Sequence, residues 1–130
     1  MRSKKSKAAM AHAFIVGSIV ISSCADNSPV IQPVSSSKSK LDTSVYHTET
    51  VTINNTPAGI EEYRVFEEAS IGAASIQSLR AEAEKRATEF CDRSGKLMKP
   101  LRETTTKPPY VHYNNARLEI IFGCVEKAAP

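Results

Sequence analysis

The stretch RLEIIFGCV, residues 117–125, alternates apolar side chains along the backbone. Strict alternation over β-branched and aromatic residues is typical of a β-strand with one buried face. The residues that share this face are Leu118, Ile120, Phe122 and Cys124. Ile121 lies on the opposite face, so the stretch predicts a central strand that is partly buried on both sides.

Residues 75–94 predict an amphipathic helix that packs on this sheet. Their sequence, SIQSLRAEAEKRATEFCDRS, repeats apolar residues at steps of three and four. These residues are Ile76, Leu79, Ala83, Ala87, Phe90 and Cys91. Ser75 is a preferred residue type for an N-cap, and Gly95 is one for the end of a helix. The charged residues fall mainly on the other face, which we interpret as solvated.

Three more segments predict strands. Residues 44–53 alternate and are rich in β-branched side chains, and residues 61–68 form a second run whose glutamates would suit a helix as well. Residues 97–106 contain Pro100, which favours a sheet edge or a bulge. The sequence therefore predicts an α+β fold in the order β-β-α-β-β, with one helix packed on a mostly antiparallel four-stranded sheet.

The first two dozen residues have the layout of an export signal. Residues 1–7 are basic, residues 8–21 are apolar, and small residues follow. The apolar run is shorter than the about 20 residues that a membrane-spanning helix needs. An uncleaved N-terminal anchor helix is the alternative interpretation.

The residues Ile21-Ser22-Ser23-Cys24 resemble the lipobox of bacterial lipoproteins. The resemblance implies that residues 1–23 are a signal peptide that is removed, and that the thiol of Cys24 is acylated. The mature protein would then be anchored to the lipid bilayer through Cys24 without spanning it. In Gram-negative lipoproteins an aspartate directly after the cysteine tends to retain the protein at the inner membrane. Because Ala25 stands there, the resemblance implies the outer membrane, with the protein facing the periplasm.

The remaining chain divides by composition. Residues 24–44 comprise the lipidated N-terminus and a serine- and proline-rich stretch without a periodic apolar face, which predicts a disordered tether. Residues 45–127 form one small domain, and residues 128–130 are a tail. The length allows no second domain.

The chain has three cysteines, an odd number that needs an explanation in an exported protein. Lipidation of Cys24 leaves Cys91 and Cys124, and an oxidising compartment favours their pairing. Both lie on apolar faces that point toward one core. We therefore predict a structural disulfide bond that closes a loop of about 33 residues. Two buried, reduced thiols are the alternative.

The composition argues against nucleic acid as a partner. The formal net charge is +3, but four of the seventeen basic residues lie in the predicted signal peptide, which leaves thirteen against fourteen acidic residues. Proteins that bind nucleic acid carry clustered Lys and Arg that face phosphates. The near-neutral mature chain lacks such a cluster.

The sequence contains no catalytic motif. It has no GxSxG around a serine, no HExxH, no glycine-rich phosphate loop and no carboxylate cluster. Neither remaining cysteine has a CxxC partner or a histidine at ligand spacing, and a metal role for His112 would need His47 nearby in space. We therefore expect a protein that is not an enzyme and that uses neither a cofactor nor a metal.

The segment PPYVHYNN, residues 108–115, predicts a loop that contacts a partner. Tyr110, His112 and Tyr113 are amphipathic side chains of the kind enriched in protein interfaces. The alternative is that the tyrosines pack over the end of the sheet. The sequence thus predicts an envelope lipoprotein that presents a small non-catalytic binding or adaptor module to an envelope protein or to the cell wall. A periplasmic ligand-binding or enzyme-inhibitor module is the second hypothesis.

Overall fold

The computed structural model of the chain describes residues 31–41, 46–70, 75–111 and 114–129. Within them lie one α-helix and five strands. These are β1 (Gln32–Pro33), β2 (Thr48–Thr52), β3 (Glu62–Glu68), α1 (Ile76–Asp92), β4 (Leu97–Thr106) and β5 (Arg117–Val125). All strand pairs are antiparallel, in the order β1-β3-β5-β4-β2. The α+β class and the single helix are confirmed.

Strand β5 is the centre of the sheet, as its sequence predicts. It pairs with β3 on one side and β4 on the other, and Leu118, Ile120 and Phe122 are fully buried. These three side chains face α1 and form the main core with residues of the helix and of β3. Ile121, on the opposite face, is buried as well. Because β5 is buried on both faces, it makes more contacts than an outer strand can make.

The helix begins after the N-cap that its sequence indicates, and it ends at Asp92, two residues before the predicted end. Ser75 caps the start, because its Oγ accepts a hydrogen bond from the Ser78 amide at 3.2 Å and its own amide donates to Ser78 Oγ at 3.1 Å. Past the end, Gly95 adopts a φ of +68°, a left-handed conformation in which a side chain is disfavoured. Ala83 and Ala87 are fully buried, and their small side chains let the helix approach the sheet closely.

The prediction of four strands is wrong, because the sheet has a fifth strand, β1. This strand lies within residues 24–44, the range predicted to be a disordered tether. Gln32 pairs with Arg64 and Pro33 pairs with Tyr63 of β3. Residues 31–41, which we call the N-terminal arm, thus cross the sheet face that α1 leaves open, and Leu41 near their end is buried.

A buried ion pair explains why this polar arm is ordered. On the face of the sheet opposite to α1, Arg64 Nη1 lies 3.2 Å from Glu119 Oε1, and these residues are only 9% and 4% exposed. Ser37 Oγ accepts from Arg64 Nε at 2.8 Å, and Ser39 Oγ donates to Glu119 Oε2 at 2.9 Å. Buried charges are tolerated when their hydrogen-bonding groups are satisfied. The serines of the arm provide these partners.

The other strand predictions are resolved as follows. Residues 61–68 contain a strand, β3, and not a helix. Residues 44–53 contain β2, although residues 42–45 lie outside the described ranges. In β4 the register shifts between Pro100 and Arg102. Pro100 therefore lies at a bulge, in the part of β4 beyond the residues that pair with β2.

The disulfide bond between Cys91 and Cys124 is confirmed. It joins the last turn of α1 to β5, with an S–S distance of 2.02 Å and a Cα–Cα distance of 5.3 Å across a sequence separation of 33. Cys91 is fully buried in the main core. The bond therefore holds the helix against the central strand at the point where the helix ends.

We expect the double substitution Cys91→Ala/Cys124→Ala to lower the free energy of unfolding by roughly 3–4 kcal/mol, because a loop of this length is no longer closed in the unfolded chain. Urea denaturation followed by circular dichroism measures the loss. A reducing agent should destabilise the wild-type protein by a similar amount and leave the double variant unchanged. An unchanged midpoint of the wild-type protein with both thiols shown to be free would contradict a stabilising role.

Candidate functional site

The structure describes one of the three residues of the predicted contact loop. Tyr110 donates a hydrogen bond from its hydroxyl to the Thr106 carbonyl at 2.6 Å, and 39% of the residue surface stays exposed. Its neighbour Val111 is 59% exposed. His112 and Tyr113 lie outside the described residues, as does the predicted lipidation site Cys24.

This loop adjoins the outer strand β2. The Lys107 amide, just after β4, donates to the His47 carbonyl, just before β2, at 2.9 Å. The start of β2 and the start of the loop are therefore fixed to each other. We call the combined region the β2 edge surface; it consists of residues 48–53, Tyr110 and Val111.

The backbone of β2 is paired on one side only. The Ile53 amide donates to the Leu101 carbonyl at 2.8 Å, and the His47 carbonyl accepts from Lys107. Since hydrogen bonding alternates along an antiparallel pair, the N–H and C=O groups of the odd-numbered residues of β2 point toward β4. The N–H and C=O groups of Thr48, Thr50 and Thr52 consequently point away from the sheet, where no described strand pairs with them.

The two faces of β2 differ in chemistry. Glu49 and Val51, opposite Thr105 and Glu103 of β4, project to the α1 side. Val51 is 54% exposed, and Ile53, directly after the strand, is 45% exposed. The three threonines project to the other face, where Thr50 Oγ1 lies 2.9 Å from Thr104 Oγ1. One face therefore offers apolar area with a carboxylate at its end, and the other offers a row of hydroxyls.

The opposite edge of the sheet is built differently. Strand β1 is only two residues long and contains Pro33, which has no amide hydrogen to donate. Short, proline-containing edges resist pairing with another chain. Strand β2 has five residues and contains neither proline nor lysine, so it is the edge that remains able to pair.

The charged residues between the strands are neutralised in pairs. Arg102 holds both carboxylate oxygens of Glu62, at 2.7 and 3.1 Å, and Arg117 Nη2 lies 3.0 Å from Glu68 Oε1. Hydrogen bonding from Arg102, and then from Thr56, lowers the pKa of the Glu62 carboxyl below its ordinary value. These side chains link neighbouring elements and leave no unpaired guanidinium there to capture an anion.

Two further ion pairs connect α1 to the sheet. Arg80 donates to both oxygens of Glu103, at 2.7 and 2.6 Å. Arg86 Nε lies 2.8 Å from Glu67 Oε1, but without the angle of a hydrogen bond. Burial raises the pKa of the Glu67 carboxyl, and the positive charge of Arg86 only partly opposes this rise. Arg86 therefore compensates only part of the cost of burying the Glu67 carboxylate.

Two open grooves mark the surface. The first, of ≈ 630 Å³, lies between the N-terminal arm and β2 and is lined partly by Lys38, Thr48, Thr50, Arg102 and Thr104. The second, of ≈ 560 Å³, lies at the disulfide end of the molecule, and we call it the disulfide-end groove. Its lining includes Tyr63, Phe90, Arg93, Lys96 and Cys124. Over the described residues, no three His, Cys, Asp or Glu side chains are grouped so that they could hold a metal ion.

Comparison of the chain with protein-family models, with curated proteins and with solved structures finds no match. In the described ranges, no helix has both the length and the apolar character that crossing a membrane requires.

The two perturbed carboxyls predict opposite contributions to stability as pH changes. The lowered pKa of Glu62 contributes stability that is present above the ordinary carboxyl pKa of about 4.3 and is lost as pH falls through the folded value. The raised pKa of Glu67 contributes stability that is present below about 4.3 and is lost as pH rises through its folded value. We expect Glu62→Gln to destabilise the protein more at pH 7 than at pH 3.

For Glu67→Gln, the stability of the wild-type protein relative to the variant should decrease as the pH rises from 3 to 7. Urea denaturation at both pH values measures the two differences. Glu89→Gln, at an exposed helix position without an ion pair among the described residues, is the matched control. The stability difference between the wild-type protein and the variant should change in opposite directions for Glu62→Gln and Glu67→Gln. A change in the same direction for both would contradict the assigned pKa shifts.

Proposed function

We propose that this protein is a lipid-anchored component of the cell envelope that presents a small, non-catalytic binding module to a protein partner. The observation that carries the proposal is the β2 edge surface. It holds Val51, Ile53, Tyr110 and Val111, four of the five large apolar residues that are exposed in the described part of the chain. Val51 and Ile53 lie toward the end of β2, and Tyr110 and Val111 lie in the loop that is bonded to its start. Exposed apolar groups beside unpaired backbone are typical of a protein-contact site.

The position of the N-terminal arm supports β2 as the edge that meets a partner. Ile31 follows Cys24 by seven positions, so an anchor at Cys24 lies at most roughly 25 Å from the first described residue. The arm meets the sheet at β1, and β1 and β2 are its opposite edges. Four strand spacings of about 4.8 Å separate them. The N-terminal arm therefore occupies the edge of the sheet opposite to β2.

The location is part of the proposal. The lipobox-like residues before Cys24 and the presence of Ala25 after it support the outer membrane, with the module facing the periplasm. The disulfide bond between Cys91 and Cys124 is consistent with an oxidising compartment of this kind.

A periplasmic ligand-binding or enzyme-inhibitor module is the second candidate. It is favoured by the disulfide-end groove, whose floor includes the rings of Tyr63 and Phe90, with centroids 4.8 Å apart. Lys96 and Arg93 also line the groove, and Arg93 forms no ion pair with a described residue. An aromatic surface beside two cations would suit a small anionic ligand.

The anchoring is tested by the intact mass of the membrane-extracted protein. We expect a species that begins at Cys24 and carries acyl chains, because the thiol is the acceptor of the lipid. Cys24→Ala should abolish both the cleavage and the added mass, whereas Ser22→Ala should preserve them. Recovery of an unmodified chain that still begins at Met1 would contradict the proposal.

The contact surface is tested by photocrosslinking in cells. A photoreactive residue at position 51, 110 or 113 should trap a specific partner, because these positions lie on the β2 edge surface or in the adjoining loop. Position 85, at the exposed Lys85 of α1, is the control and should give no adduct. If positions 51, 110 and 113 behave as position 85 does, the protein-contact function is wrong.

A further inference from the structure

We propose that β2 binds its partner by strand addition, so that an extended segment of the partner becomes the sixth strand of the sheet. This inference rests on the proposed function and names its mode of recognition. The recognised segment carries a basic side chain opposite Glu49 and apolar side chains opposite Val51 and Ile53. On the other face it carries small hydroxyl or polar side chains opposite the threonines.

The backbone groups provide the hydrogen-bond pattern that a sixth strand needs. Thr48, Thr50 and Thr52 each direct one N–H and one C=O outward, and they alternate with residues whose groups are bonded to β4. This spacing of every second residue is the one at which an antiparallel strand offers its own donors and acceptors. Thr50 and Thr52 are exposed, so a partner strand can reach these groups.

The side chains make the edge selective. Directly opposite residues of an antiparallel pair share a face and contact each other. Glu49 has no ion-pair partner among the described residues, so a Lys or Arg across from it gains a favourable contact. Val51 and Ile53 lose exposed apolar area when apolar side chains cover them.

A second copy of this chain offers Glu49 no cationic partner. In the two-fold antiparallel registers that keep most of β2 paired, Glu49 faces Glu49, Val51 or Ile53 of the copy, according to the register. None of these residues is a cation, and a carboxylate opposite another carboxylate is destabilising. The charge pattern therefore favours a different chain that supplies a basic residue at this position.

The test uses the detergent-extracted full chain and a blocked synthetic peptide of sequence TVTVTKT. Aligned antiparallel, this peptide places its valines opposite Ile53 and Val51 and its lysine opposite Glu49. We expect saturable binding that slows hydrogen exchange of the Thr48, Thr50 and Thr52 amides. The peptide TVTVTET should bind about two- to fivefold more weakly, as expected for an exposed charge pair.

Two substitutions separate backbone from side-chain recognition. Thr50→Pro removes an outward N–H without removing a backbone hydrogen bond to β4 and should weaken binding about tenfold. Both Thr50→Pro and Thr50→Val lose the side-chain contact with Thr104, so this loss is matched between them. Thr50→Val keeps the N–H and should change affinity by less than about twofold. Glu49→Lys should reverse the preference, so that TVTVTET binds better than TVTVTKT. Thermal unfolding shows whether each variant retains the fold, and Glu49→Lys lies at an exposed position where folding is least at risk.

Each outcome decides between the proposals. No saturable peptide binding, equal affinity of Thr50→Pro and the wild-type protein, or an unchanged peptide preference of Glu49→Lys would overturn strand addition. A wild-type dimer in sedimentation that Thr50→Pro dissociates would overturn the choice of a different chain. If position 110 still traps a partner in the Thr50→Pro variant, strand addition is wrong and the protein-contact function stands. If positions 51, 110 and 113 trap nothing even in the otherwise wild-type chain, both are wrong.

Discussion

The fold depends on the packing of α1 against one face of β5. Leu118, Ile120 and Phe122 present an apolar row that is fully buried, and the helix meets this row with Ala83 and Ala87. Small side chains at these positions let the backbone of the helix come close, so that the larger side chains of the sheet fill the interface. A domain of this size has few other contacts to spare. The bond between Cys91 and Cys124 therefore holds the end of the helix against β5.

The other face of the sheet is closed by polar contacts. No described α-helix covers it, and the N-terminal arm crosses it above the ion pair of Arg64 and Glu119. Desolvation of an isolated pair of charges would cost several kcal/mol. Ser37 and Ser39 reduce this cost by hydrogen bonding to each partner. The arm and the ion pair thus stabilise each other, and residues 31–41 belong to the folded domain.

This arrangement makes the two edges of the sheet unequal. The arm ends the sheet at β1 with a two-residue strand and a proline, whereas β2 carries outward backbone groups together with Val51 and Ile53. Natural sheets commonly protect such edges because they pair with other chains. An unprotected edge opposite to the N-terminal arm is consistent with a module that recruits a partner, and the predicted contact loop adjoins the start of this strand.

The sequence by itself determined the helix, the central position of β5 and the pairing of Cys91 with Cys124, and it limited Pro100 to a bulge or a sheet edge. Burial of one side of a regular element leaves a periodic trace in the local sequence, and both cysteines lie on such traces. Only the tertiary structure decided the rest. The serine-rich arm is ordered by a contact of Ser39 with Glu119, 80 residues away, and such a contact leaves no periodic pattern. The free edge of β2 could not be predicted from the sequence either. Alternation indicates that a strand exists, but it does not indicate which strands pair with it.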